Sequence, residues 1–214
     1  MADQENIQTD LPTVIPVFPL PKVILFPESN LPLNIFEPRY LKMVDDARAG
    51  SGIIGMVQPK TTEDLAGNPE IYKTGGAGRI THFVETEDGR YLIRLTGLSR
   101  FRVADELSVT TPYRQAVVDW GPFSDDMKTN QQTDGFDRGG LMSELKAYLE
   151  KRGLEADYDG INAAPDTVLI NTLSMIIPLT LGEKQALLEA QTANLRAETL
   201  KNLLMMVSAD SKIN

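Results

Sequence analysis

The spacing of apolar positions changes once along this chain. As far as Trp120, apolar residues come in short runs or alternate with polar ones; from Arg138 onward they recur three and four apart. The first pattern predicts strands over Thr13 to Phe18, Leu31 to Phe36, Gly52 to Gln58, Arg79 to Glu87, Arg90 to Leu98 and Tyr113 to Trp120. Pro16, Pro19, Pro21 and Pro27 punctuate the opening run. Proline donates no ladder hydrogen bond, so this run suits edge strands and tight corners better than a central strand. Asp88-Gly89 predicts a type I′ hairpin, and Gly97 marks a bulge where the following strand continues toward Val103. One helix interrupts the strands. Pro38 fits its first turn, Tyr40, Met43, Val44 and Ala47 form its apolar face, and Gly50 ends it.

Residues 121–137 are polar and turn-rich, which predicts a linker. Beyond it, Leu141, Leu145, Tyr148 and Leu149 form one helical stripe, and Val168, Leu169, Leu173, Ile176 and Ile177 form another, opened by Pro165-Asp166 and stopped by Pro178. Thr180 and Glu183 have capping-box spacing, and Leu200, Leu203, Leu204 and Val207 line a last helix. Strands first and helices afterwards indicate a segregated α+β protein. The expected organisation is a loose arm at 1–12, a β-rich lobe at 13–120, the linker, and a helical lobe at 138–210. Residues 59–74 read as an exposed polar loop.

Composition narrows the function classes. Lys and Arg total 21 against 30 Asp and Glu, a net charge of -9, which disfavours nucleic acid and anionic lipid as partners. No apolar run approaches the ~20 residues of a membrane span, and MADQENIQTD lacks the features of a signal peptide, so a cytoplasmic location is expected. There are no cysteines, which removes disulfides, thiolate metal sites and cysteine nucleophiles together.

Candidate chemistry is sparse. His82 is the single histidine and lies in a strand without a catalytic or metal motif around it. Thr74-Gly-Gly-Ala-Gly-Arg79 leads into a strand, whereas a phosphate cradle needs a helix start. Asp45-Asp46 and Asp125-Asp126 read as solvated charge. No cofactor, metal site or catalytic residue is expected.

The phrases FPLPKVILFP and LPLNIFEPRYLKMV resemble the start of the Lon protease N-terminal, substrate-binding domain, and the resemblance continues through Gly78-Arg-Ile-Thr, Asp88-Gly-Arg-Tyr-Leu-Ile and Gly97-Leu-Ser-Arg-Phe into the C-terminal helices. It implies a PUA-like β-rich lobe followed by a helical lobe, and a stand-alone, non-catalytic module. The ATPase and Ser-Lys peptidase modules of full Lon proteases are not among these residues. The implied ligands are apolar or unfolded protein segments, held in a groove expected between the lobes, with a separate protease or chaperone as a further candidate partner. An RNA-associated role is the alternative, since PUA-like barrels also bind RNA. Candidate peptide-binding residues are Phe36, Arg39, Tyr40, Trp120, Met205 and Met206. The competing reading of Glu37-Pro-Arg-Tyr40 is structural, with Tyr40 packing and the charges tying helix to barrel. Arg100 is expected in a buried ion pair, and at least one of Glu37, Arg39 and Arg100 must be so paired.

Overall fold

The computed structural model describes residues 11–63, 68–128 and 133–209. Strands β1 (Val14–Pro19), β2 (Asn30–Ile35), β3 (Ile53–Val57), β4 (Thr74–Glu85), β5 (Tyr91–Glu106) and β6 (Arg114–Asp119) form one sheet in the order β2-β5-β4-β3-β1-β6. A further pairing of β5 with β6 closes the sheet into a pseudo-barrel. Strand β5 is long enough to serve both ends: Tyr91 to Thr96 pair with β2, and Arg102 to Glu106 pair with β6. Its bend falls where the register slips from Ala77↔Ser99 to Gly78↔Gly97, leaving Leu98 as the extra residue of a bulge.

Barrel closure overturns the edge-strand reading of the first run. Strand β1 is paired on both sides, parallel to β3 and antiparallel to β6. Pro16 is tolerated because it is registered only with Gln115 of β6, and pairing with β3 begins one residue later, at Val17. Strand β2, with Pro32 in its middle, pairs on one side only. Ile53, Ile54, Met56 and Val57 of β3 are all buried because both of its faces are covered, which accounts for its unbroken apolar sequence. Helix α1 (Pro38–Ala49) covers one face, with Tyr40, Met43, Val44 and Ala47 inward as the spacing predicts.

The hairpin at Asp88-Gly89 is present but is not type I′. Gly89, at φ +77°, is the position with positive φ, and its N–H donates to the Thr86 carbonyl while the Thr86 N–H donates to Arg90. This is a type I turn followed by a left-handed glycine, the usual three-residue hairpin loop.

The Pro-rich stretch between β1 and β2 is the joint of the molecule. The side chains of residues 24–26 divide between the two regions. Leu25 enters the core beneath α1, whereas Ile24 and Phe26 enter the core of the helical region. The chain lies so close to the sheet that a Cβ on Gly76 would sit 1.9 Å from the Leu25 carbonyl oxygen, and one on Gly97 would sit 1.9 Å from that of Phe26. The glycine run at 74–78 is therefore interior β4 under a crossing segment, not an entry to the strand. Of the expected exposed loop at 59–74, residues 64–67 lie outside the described residues, and the remainder is not all exposed. Pro59 bridges Ile71, and Ile71 is buried against the barrel core.

The helical region comprises α2 (Arg138–Arg152), α3 (Tyr158–Ala163), α4 (Asp166–Ile176), α5 (Leu181–Glu189) and α6 (Ala193–Ala209). Both halves of the Thr180/Glu183 capping box form. The short α3 escaped the periodicity reading because it buries no side chain fully. Residues 121–127 form a 3-10 segment with Phe123 and Asp126 buried, so this part of the expected linker is packed structure. Residues 1–10 of the expected arm lie outside the described residues. Leu11 packs on the barrel core, and the Pro12 carbonyl accepts a bond from Trp120.

Candidate functional site

Polar groups buried where the two regions meet hold the fold together. Arg100 binds Asp126 through two parallel bonds, Nε to Oδ2 and Nη2 to Oδ1, each 2.8 Å. Its Nη1 reaches past the pair to the carbonyls of Leu188 and Ala190 at the end of α5. The reading of Asp126 as solvated charge is thus overturned: the 3-10 segment folds it inward, because a buried Arg100 requires a counter-ion. Arg196 lies beneath, with its guanidinium 4.0 Å from the centre of the Phe26 ring and Nη1 donating to Asn171. Burial, with the nearby Arg100 charge adding to it, pushes the Arg196 pKa down to about 9. Lys184 Nζ donates to the Ser174 and Met175 carbonyls at the end of α4, and burial lowers its pKa to about 8. Gln58 and Gln185 complete the seam, bonding to each other and to the backbone of Leu181 and Thr74. These groups join elements and present no nucleophile beside a base.

Two depressions flank α4. One, of about 410 Å³, lies between the regions and is lined mainly by polar groups, among them Glu28, Ser29, Asn30, Lys128 and Asn171. The other, of about 460 Å³, runs within the helical region between α2, α3 and α4. Its walls are apolar: Leu145 and Leu149 from α2, Ile161 from α3, Leu169 and Leu173 from α4, and Ile177 just after it. Val168 and Ile176 stand at its surface, 43% and 67% exposed. Both belong to the helical stripe that the apolar spacing predicts here. The helix buries Leu169, Ile170 and Leu173 on one side, and its remaining apolar residues exceed what that face can cover. That excess, Val168 to Ile177 with only Asn171, Thr172 and Ser174 as polar interruptions, is the sequence signal for the groove.

The predicted binding residues occupy three separate places. Tyr40 is buried against Phe18, with ring centres 4.2 Å apart, and belongs to the core beneath α1. Arg39 stacks on the Tyr40 ring and pairs with Glu37, and Phe36 is 64% exposed just before the helix. Trp120 packs edge-on against Phe101 in the other barrel core. Met205 and Met206 are exposed on α6. Neither depression described above is lined by any of these six residues. The apolar one lies inside the helical region, whereas the expectation placed it between the lobes.

His82 is exposed on β4, and among the described residues no group of three or more His, Asp or Glu side chains is placed to hold a metal. No helix among the described residues is long and apolar enough to cross a membrane.

The model of the ATP-dependent protease La (Lon) substrate-binding domain matches residues 14–205. The chain belongs to this family. Among curated relatives, the Lon protease of Flavobacterium johnsoniae is 30% identical over 209 residues, covering 93% of this chain and 25% of that protein. The Lon protease of Dictyoglomus thermophilum is 27% identical over 192 residues, covering 88% and 24%. The chain thus spans about a quarter of the length of these relatives, and the match is to the Lon substrate-binding domain and not to the protease domain. Solved structures share the fold. A Lon N-terminal domain protein from Xanthomonas campestris superimposes with a TM-score of 0.61 at 23% identity, covering 88% of this chain and 96% of that one. The N-terminal domain of Mycobacterium avium complex Lon protease gives 0.62 at 19% identity, covering 92% and 98%. The resemblance read from the sequence, including the β-rich lobe followed by helices, is therefore correct.

Proposed function

We propose that this Lon substrate-binding domain is a non-catalytic module that holds apolar segments of other polypeptides in the cytoplasm. The observation that carries the reading is the α2–α3–α4 groove, where Val168 and Ile176 remain exposed beside a lining of leucine and isoleucine. Exposed apolar side chains around a concavity gain free energy from any apolar segment that covers them, at about 25 cal/mol per Å² before association costs. They impose few directional hydrogen bonds, which suits a site that accepts many sequences. Association costs take back several kcal/mol, so binding to the isolated chain is expected at roughly micromolar to millimolar Kd.

The test is calorimetric titration with an unfolded apolar polypeptide and with a polar peptide of equal length. Binding of the first and not the second, lost in a Val168→Gln/Ile176→Gln double variant that keeps its thermal transition, supports the reading. Equal binding of both peptides, or apolar binding indifferent to the double variant, overturns it.

A further inference from the structure

The apolar groove is electrically lopsided. The charged residues that line it are Glu155 and Asp157, both carboxylates and both on the segment that leads from α2 into α3. Asp159 follows two residues later, exposed in the first turn of α3. The rest of the lining carries no charge. Two nearby cations of α2 are engaged elsewhere: Arg152 lies over the Tyr148 ring at 5.1 Å and Lys146 pairs with Glu150, and neither lines the groove. Asp157 accepts the Gly160 N–H through Oδ1, which caps α3 and fixes the carboxylate at the groove's end. The depression on the other side of α4 has no such bias. Its lining carries both signs, Glu28 and Lys128, with Lys128 paired to Asp125 and Asp126 bound by Arg100.

We infer that the groove between α2, α3 and α4 takes an apolar polypeptide segment flanked on one side by lysine or arginine, with the cationic end over Glu155 and Asp157. This rests on the reading proposed above and adds a sign and a direction to it. The apolar part of the occupant covers Val168 and Ile176, and the flanking cation meets the carboxylates at the α3 end. An acidic flank would meet like charge there. The chain's net charge of -9 acts in the same sense on the approach of the ligand. The carboxylates are solvated, so the preference is modest: about 3- to 10-fold between a basic and a neutral flank at low salt, shrinking as salt screens it.

The experiment uses three fluorescein-labelled peptides with one shared apolar core, flanked on one side by two lysines, two serines or two glutamates. Each is titrated by anisotropy against the full chain, a Glu155→Gln/Asp157→Asn variant and the V168Q/I176Q variant, at low and high salt. Asparagine retains the oxygen that caps α3, and Val168 and Ile176 are exposed, so both variants are expected to fold; the thermal transition verifies this. The expected result is an order of lysine, serine, glutamate from tightest to weakest. The spread narrows at high salt and disappears in E155Q/D157N, and all three peptides lose affinity in V168Q/I176Q. If the three peptides bind equally and V168Q/I176Q still abolishes binding, the charge inference fails while the groove reading stands. If no peptide binds, or V168Q/I176Q changes nothing, the groove reading fails and the inference fails with it. A lysine preference that survives E155Q/D157N also overturns the inference, because the cation would then be recognised elsewhere.

Discussion

Arg100 on β5 and Asp126 in the 3-10 segment after β6 form a two-bond ion pair with their side chains 3% and 1% exposed. Through its remaining donors Arg100 also holds the carbonyls at the end of α5. One residue of the barrel thereby fixes both the segment that leaves the barrel and the helices that follow.

Asp126→Ala leaves the Arg100 charge buried without its partner. The expected cost is about 3–5 kcal/mol in urea unfolding. A double replacement, Arg100→Met with Asp126→Leu, is expected to recover much of that loss, because it also removes the charge that Asp126→Ala strands. A double variant as unstable as the single one would show that the bonds to the α5 carbonyls matter more than the pair.

The glycines beneath the crossing segment predict an order of stabilities. Gly76→Ala and Gly97→Ala each place a methyl group against a backbone carbonyl that cannot move without opening the joint between the regions. Each is expected to destabilise by at least the ~1–3 kcal/mol typical of overpacking. Gly89→Ala meets no atom within 4 Å and costs only its left-handed backbone conformation, about 1–2 kcal/mol. Denaturant midpoints of the three variants, measured side by side, check the ordering.

Buried titratable groups make stability depend on pH in the alkaline range. The Lys184 pKa is lowered by burial from 10.5 to about 8, so between these values the unfolded chain binds more protons and stability rises with pH. Tyr113 acts in the opposite sense. Burial, reinforced by its bond to Asp46, raises its pKa from 10.0 to about 12, and its contribution is complete below pH 10 and lost toward pH 12. Lys184→Met is expected to flatten the rise that sets in near pH 8. Tyr113→Phe is expected to remove the fall. Urea unfolding from pH 7 to 11 resolves the two effects.

Trp120 is expected to report on the barrel rather than on the groove. It packs on Phe101, and its Nε1 donates to the Pro12 carbonyl. Its emission should therefore shift on unfolding and change little when a peptide fills the α2–α3–α4 groove. A large shift on peptide binding, at unchanged stability, would place the ligand against the barrel and count against the groove.

Local physics carried much of the fold into the sequence. Alternation placed the strands, the three-and-four spacing of Tyr40, Met43, Val44 and Ala47 set the inner face of α1, and Thr180 with Glu183 announced the start of α5. Each depends on residues adjacent in the chain or one helical turn apart, so sequence alone determines it. The need of Arg100 for a buried counter-ion was likewise legible. The identity of that partner was not, because Asp126 lies 26 residues away and only the packing of the 3-10 segment brings it inward. Barrel closure, which turned a proline-bearing run into a strand paired on both sides, depends on β5 reaching β6. The groove arises in the same way. Val168 and Ile176 resemble the rest of their apolar stripe in sequence, and only the number of helices packed around α4 decides which of its faces stays open. Burial depends on what arrives from elsewhere in the chain, so the local pattern shows the apolar excess of α4 but not which of its residues stay exposed.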